Sequence, residues 1–372
     1  GGAGAGDTVQ LHYDYNAGLG LDPTGVTGGS AITLTYDPAG VPANVAAKFP
    51  HLAGLRTWRI SSADLPLVPT ILKGQFAVSA LNASSVPVDA TGLQIPGVLD
   101  DLFTYTGDLG LTFNSPPTIR VWAPTAQDVN LLLFADANPL TPPTSYDMTY
   151  DPATGVWSIV GLEAWNWQYY LFEVTVYAPT TRQIEVNRVT DPYSINLSMN
   201  ATRSQIVNLD DPATKPAGWD SLAKPPLAAP EDTVIYELHV RDFSIFDTTV
   251  PAAWRGTFKA FTVSNSDGVN HLRALANAGL TSIHLLPAFD IASVNEDKTT
   301  HTVPNYATLA SYAPDSQQQQ ADIEPLRNSD GFNWGYDPVH YGVPDGSYAT
   351  DPNGLARVIE FREMVQALNQ IG

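Results

Sequence analysis

The apolar periodicity of this chain changes at one place, and that change limits what it can fold into. Up to Lys224-Pro225-Pro226-Leu227-Ala228-Ala229-Pro230, apolar and polar residues alternate in short runs. Beyond it come an apolar run, a helical stripe and a second apolar run. Period-two alternation between turn residues makes half-buried strands, whereas strand, helix and strand make a parallel pair. A Pro-rich stretch between the two regimes is a boundary. The expectation is a multidomain chain, β-rich first and α/β afterwards. Its 372 residues suffice for two or three cores.

In residues 1–105, Val9-Gln10-Leu11-His12-Tyr13 and Ile32-Thr33-Leu34-Thr35-Tyr36 alternate, and Trp58-Arg59-Ile60 and Gln75-Phe76-Ala77-Val78 read as further strands. That spacing predicts an antiparallel β-sandwich. The opening Gly1 to Gly6 run reads as a flexible leader. In residues 106–228, strands are predicted at Thr118–Ala123, Val129–Phe134, Val156–Ile159 and Tyr169–Val174. Turns fall at Asp151–Gly155 and at Asp191-Pro192-Tyr193. This predicts a second, Ig-like sandwich. Tyr13, Tyr15, Tyr36, Trp58, Trp157, Trp165 and Trp167 could touch a ligand, but aromatics in sandwiches more often pack into the core or the rim.

Residues 229–372 carry strands at Val234–Val240 and Ser282–Leu286. A helix at Asn270–Gly279 lies between them, and a striped helix runs from Leu355 to Ile371. The intervening 291–350 stretch reads as long and irregular, and long loops are usually functional. Near its end stands Phe332-Asn333-Trp334-Gly335-Tyr336-Asp337-Pro338. Gly335 permits backbone conformations closed to other residues and Pro338 fixes its own φ, so this is a shaped loop. Its rings either plug the core or face a ligand with an apolar face and a hydroxylated rim, such as a sugar.

A net charge of −20 disfavours nucleic-acid and anionic-membrane partners and tolerates a neutral polymer. With no cysteine, disulfides, thiolate metal sites and cysteine nucleophiles are excluded. No apolar run reaches the roughly 20 residues needed to span a bilayer.

FNWGYDP resembles the YNWGYDP motif of pullulanases and limit dextrinases, the starch-debranching glycoside hydrolases of the α-amylase superfamily. VWAPTAQDVNLLLF, WQYYLFEV and TDPYS resemble the carbohydrate-binding family 48 module that precedes the barrel in such enzymes. YELHVRDFS, LTSIHLLPAFD and PDGSYATDPNG resemble the first two βα units of their (β/α)8 TIM barrel. The resemblance implies two β-sandwich domains followed by the start of that barrel. It also implies retaining hydrolysis of α-1,6 branch linkages in an α-glucan, with no cofactor required. Tyr336 would stack on the sugar with Asp337 beside it, and Asn333 and Trp334 would shape the wall. Phe332 replaces the family's Tyr and removes a hydroxyl. An extracellular bacterial location is favoured, with a plastid as the alternative.

Eight βα units need about 250 residues, and only two are found here. The family's catalytic carboxylates follow strands four, five and seven, so the resemblance assigns no catalytic residue to this chain and predicts it inactive alone, with the C-terminal part of the barrel as its missing partner. It would then expose an unpaired strand edge and apolar faces. Glu237, Asp242, Asp290, Glu296 and Asp337 are carboxylates that could pair on paper. His239 and His284 read as core or barrel-interior histidines rather than metal ligands. Calcium held by oxygen alone is compatible with the Asp-rich loops.

Overall fold

The computed structural model describes residues 2–113 and 115–372. Gly1 of the expected leader lies outside the described residues. The rest of the leader is not featureless, since Gly4 N–H bonds to Asp7 Oδ2 at 2.6 Å.

The first unit is built on β1 (Thr8–Asp14), β4 (Ser30–Asp37), β5 (Thr57–Arg59), β6 (Gln75–Leu81) and β7 (Pro87–Thr91). They form one antiparallel sheet in the order β5-β4-β1-β6-β7, with a separate ribbon of β2 (Gly20–Asp22) and β3 (Gly25–Thr27). Alternation places Leu11 and Ile32 on the inner face, packed on Ile71. The expected sandwich is corrected here: a single main sheet, not two facing sheets, makes this unit. Ile71 comes from a short helix, Val68–Ile71, with Pro in its first turn, where the missing N–H costs nothing.

The second unit is a true sandwich. One sheet runs β11 (Thr144–Asp147), β10 (Ala126–Phe134), β14 (Tyr169–Ala178), β15 (Gln183–Val189), with β16 (Ser204–Gln205) on β14. The other runs β12 (Thr149–Asp151), β13 (Val156–Val160), β9 (Pro117–Trp122), β8 (Gly110–Phe113). Ile119, Val129, Leu131, Trp157, Trp165 and Phe172 meet between them, all buried. Each such side chain contributes about 1.5–3 kcal/mol by leaving water. Leu132 and Phe134 are buried on the opposite face of β10, where Arg203 stacks 3.7 Å above the Phe134 ring.

In the third unit, β17 (Ile235–Leu238) and β18 (Ser282–Leu285) pair in parallel around the helix Asp267–Asn277. Ser266 caps that helix by accepting from Val269 N–H at 3.2 Å. Gly279, at φ +107°, ends it. Phe258, Phe261, Leu272, Tyr348 and Met364 of the helix Leu355–Ile371 form the core. The 291–350 stretch is more ordered than expected. It holds the helices Tyr306–Ser311 and Gln318–Ile323, and β20 (Pro338–Pro344) pairs antiparallel with β19 (Phe289–Ile291). Among the described residues no helix is long and apolar enough to cross a membrane.

Candidate functional site

The loop of residues 332–337 leads directly into β20, and its shape is set by its own sequence. Gly335 sits at φ +82°, and a Cβ there would lie 2.8 Å from the Pro287 carbonyl oxygen, so no larger residue fits without strain. Asn333 Oδ1 accepts from Gly335 N–H and its amide reaches Ser293 Oγ. Ala292 N–H donates to the Asp337 carbonyl at 3.0 Å.

His239, just past β17, supplies the deeper anchor. Its Nδ1 accepts from Asp242 N–H at 3.3 Å, which leaves Nε2 to donate to the Asn333 carbonyl at 2.6 Å. The Tyr348 hydroxyl lies 3.2 Å from the same nitrogen. Burial, with Asp345 nearby, pushes the Tyr348 pKa up, so the phenol stays protonated. The Phe332 ring lies 5.7 Å from the His239 ring. As predicted for His239, it is buried. His284 is not: its side chain is 66% exposed and pairs with Glu237 at 3.2 Å, its cross-strand partner. That face of the pair is uncovered.

With the loop pinned through its backbone, its rings are left free. Trp334 is 61% and Tyr336 70% exposed, so neither plugs the core. Asp337 is half-buried, and its Oδ1 has no hydrogen-bond partner. A cavity of about 530 Å³ adjoins the loop, lined by Arg241, Asp242, Phe246, Tyr306 and Phe332, and by neither Trp334 nor Tyr336. Those two rings therefore offer an open platform rather than a pocket.

Of the five carboxylates that could pair, Glu237 and Asp242 are exposed, and only Asp290 and Glu296 are brought together. With Asp345 they place oxygens within 4.8 Å of one another. Arg357 already answers this charge, at 2.8 Å from Glu296 and 3.8 Å from Asp290, and His340 Nδ1 lies 2.7 Å from Asp290. Burial pushes Glu296 up despite Arg357, and burial together with Glu296 pushes Asp345 up to about 7. The cluster is a buried, internally partnered network. It gives no open acid and nucleophile, and a cation there would compete with Arg357.

Of the other aromatics, Trp157 and Trp165 are core, Trp167, Tyr13, Tyr36 and Trp58 are half-buried, and Tyr15 is exposed. Of the anchors, sequence reads His239 as a core or barrel-interior histidine and does not mark Ser293 or His340. The signal available was the histidine inside YELHVRDFS.

The chain is similar to known proteins over nearly its whole length. Residues 1–101 match the pullulanase N2 domain, and residues 108–194 match carbohydrate-binding module 48, the isoamylase N-terminal domain. The chloroplastic pullulanase 1 of Arabidopsis thaliana is 43% identical over 98% of this chain and 38% of its own length. A pullulanase of Klebsiella pneumoniae is 35% identical over 97% of this chain and 36% of its own. The crystal structure of Klebsiella pneumoniae pullulanase complexed with maltotriose superposes with a TM-score of 0.90 at 35% identity. It covers 99% of this chain and 38% of that one. The chain thus spans under half the length of these relatives. It belongs to the pullulanase family and corresponds to the N-terminal part of those proteins.

Proposed function

We propose that this chain supplies the glucan-binding modules and part of the active-site wall of a starch-debranching glycoside hydrolase. The substrate would be pullulan, amylopectin or limit dextrin, cleaved at α-1,6 linkages with retention. The observation that carries this is the pinned loop with two exposed rings: Tyr336 stacks on a glucose ring, and Trp334 and Asn333 shape the wall. Asp337 lies half-buried beside these rings, and a carboxylate there is an acceptor for a sugar hydroxyl. The relative solved with maltotriose supports a gluco-oligosaccharide as ligand.

Residues 1–105 and 106–228 then act as carbohydrate-binding and scaffold domains. Residues 229–372 begin the (β/α)8 barrel, with the β17–helix–β18 unit at its start. The two reacting carboxylates belong to the rest of the barrel, the partner this chain requires. No cofactor is needed for that chemistry. An extracellular bacterial enzyme is the first reading of its location, and a plastid enzyme the second.

Titration calorimetry with maltotriose, beside a reducing-sugar assay on pullulan, tests both halves. Binding without hydrolysis is expected of the 372-residue chain. Hydrolysis by this chain would overturn the placement of the carboxylates, and absence of binding would overturn the wall. The alternative, a glucan-binding protein with no catalytic role, is separated by the same assay on the longer protein.

A further inference from the structure

The turn Thr190–Ser194, the TDPYS run of the second unit, has no part in the function above. Yet it touches the strand directly behind the aromatic loop. The turn is nailed to its own sandwich. Asp191 is fully buried and accepts from the Tyr170 hydroxyl at 2.7 Å and from Tyr193 N–H at 2.8 Å. Its own N–H donates to Ser204 Oγ at 2.9 Å.

From this fixed base, Thr190 Oγ1 lies 2.8 Å from Nε2 of His340 in β20. The other ring nitrogen, Nδ1, lies 2.7 Å from Asp290 Oδ2, and Asp290 faces His340 across the β19–β20 pair. A carboxylate only accepts, so Nδ1 carries a proton toward Asp290, and Nε2 and the Thr190 hydroxyl share the second hydrogen bond. Two residues further on, Gly342 approaches the same turn so closely that a Cβ would lie 2.8 Å from the Ser194 carbonyl oxygen. Strand and turn are in contact at two places. Because β20 starts at Pro338, immediately after Asp337, whatever holds His340 holds that end of the loop.

We propose that Thr190 is a positioning residue: through His340 and Asp290 it lets the carbohydrate-binding-type module set the pose of Trp334 and Tyr336 toward a glucan. The functional half of this rests on the sugar-binding role proposed for the loop. Hydrogen-exchange mass spectrometry on residues 332–341 tests it, with β10 and β14 as internal reference. Thr190→Val keeps the shape and removes the hydroxyl, whereas Thr190→Ser keeps the hydroxyl. Losing one such hydrogen bond should speed exchange in the loop about tenfold and weaken maltotriose binding by a similar factor. The reference strands should be unchanged, and Thr190→Ser should stay within about twofold of the parent on both readouts. Unaltered loop exchange in Thr190→Val would overturn the assignment. So would an acceleration shared equally by β10 and β14, which is general loosening. If the parent chain binds no maltotriose, the sugar reading fails, while the exchange pattern still decides whether Thr190 holds the loop.

Discussion

Trp157 and Trp334 are the same residue type with opposite fates. Trp157 is 5% exposed, tilts against Tyr150 at 4.8 Å and donates its indole N–H to the Ala123 carbonyl at 3.1 Å. Trp334 is pinned only through the backbone around it and has Phe332 as ring neighbour at 5.7 Å. Where two sheets face each other, aromatics fill the gap. A loop held by main-chain bonds leaves its rings for something outside. The largest effect that separates the two is on stability. Trp157→Ala should cost about 3–5 kcal/mol in a denaturant melt, from lost burial plus cavity. Trp334→Ala should stay within about 0.5 kcal/mol. Equal losses would erase the distinction on which the site rests.

The two interiors also differ in polarity. Between its two sheets the sandwich packs apolar side chains, with Asp191 buried as a single carboxylate among hydrogen-bond donors, whereas the third unit buries three carboxylates together, Asp290, Glu296 and Asp345, around Arg357. Asp345 is the group to titrate. Its folded-state pKa, about 7, lies above the ordinary carboxylate value that the unfolded chain would show. The folded state therefore holds that proton more tightly. The resulting stability is fully present below the unfolded value and is lost as pH rises through about 7. Urea midpoints of the parent and of Asp345→Asn, compared from acid to neutral pH, should diverge in the variant's favour by about 1–4 kcal/mol. The variant cannot repeat both hydrogen bonds from Ile291 and Ser347 N–H, but that offset is constant with pH. A difference that stays flat across the window would show that Asp345 is already ionised in the fold.

Much of this contrast is legible in the sequence. The strands of the sandwich follow from alternation, because each has its partner sheet within the same hundred residues. The loop's shape follows from Gly335 and Pro338. What stayed hidden is long-range. β20 puts His340 inward where an apolar residue would have marked the face, and its partner β19 lies far back in sequence. Bonds from His239, Ser293 and Thr190 to the loop region leave no periodicity to detect. Alternation in the first unit does not reveal its single sheet, because residues 61–72 turn helical at Pro66 and Pro69 instead of supplying a second sheet. His284 reads as core from its strand position, yet it is exposed because a strand residue is core only when something covers it.

Inside the loop, ring and backbone can be separated. Tyr336→Ala should raise the maltotriose dissociation constant by a factor equivalent to about 2 kcal/mol, as for a central aromatic contact, with the melting temperature unchanged. Gly335→Ala forces a left-handed φ and a contact with Pro287, and should cost about 1–2 kcal/mol of stability while weakening binding as well. Calorimetry and melts on the same samples check both. Tyr336→Ala binding like the parent would remove stacking from the account.

The smallest effect probes the other side of the comparison, the apolar surface with nothing over it. In β10, Val129 and Leu131 are fully buried, whereas Ile235 in β17 is 61% exposed and Val234 and Tyr236 beside it are exposed too. A β-branched residue facing water gains little from its methyl groups, so Ile235→Thr should change stability by less than about 0.5 kcal/mol. Its consequence should appear in self-association, since an apolar strand of a two-stranded parallel pair invites further pairing. Sedimentation of the parent and the variant at matched concentration should show less aggregate in the variant. A stability loss beyond about 1.5 kcal/mol would mean instead that this face is already packed and that the third unit closes its core on its own.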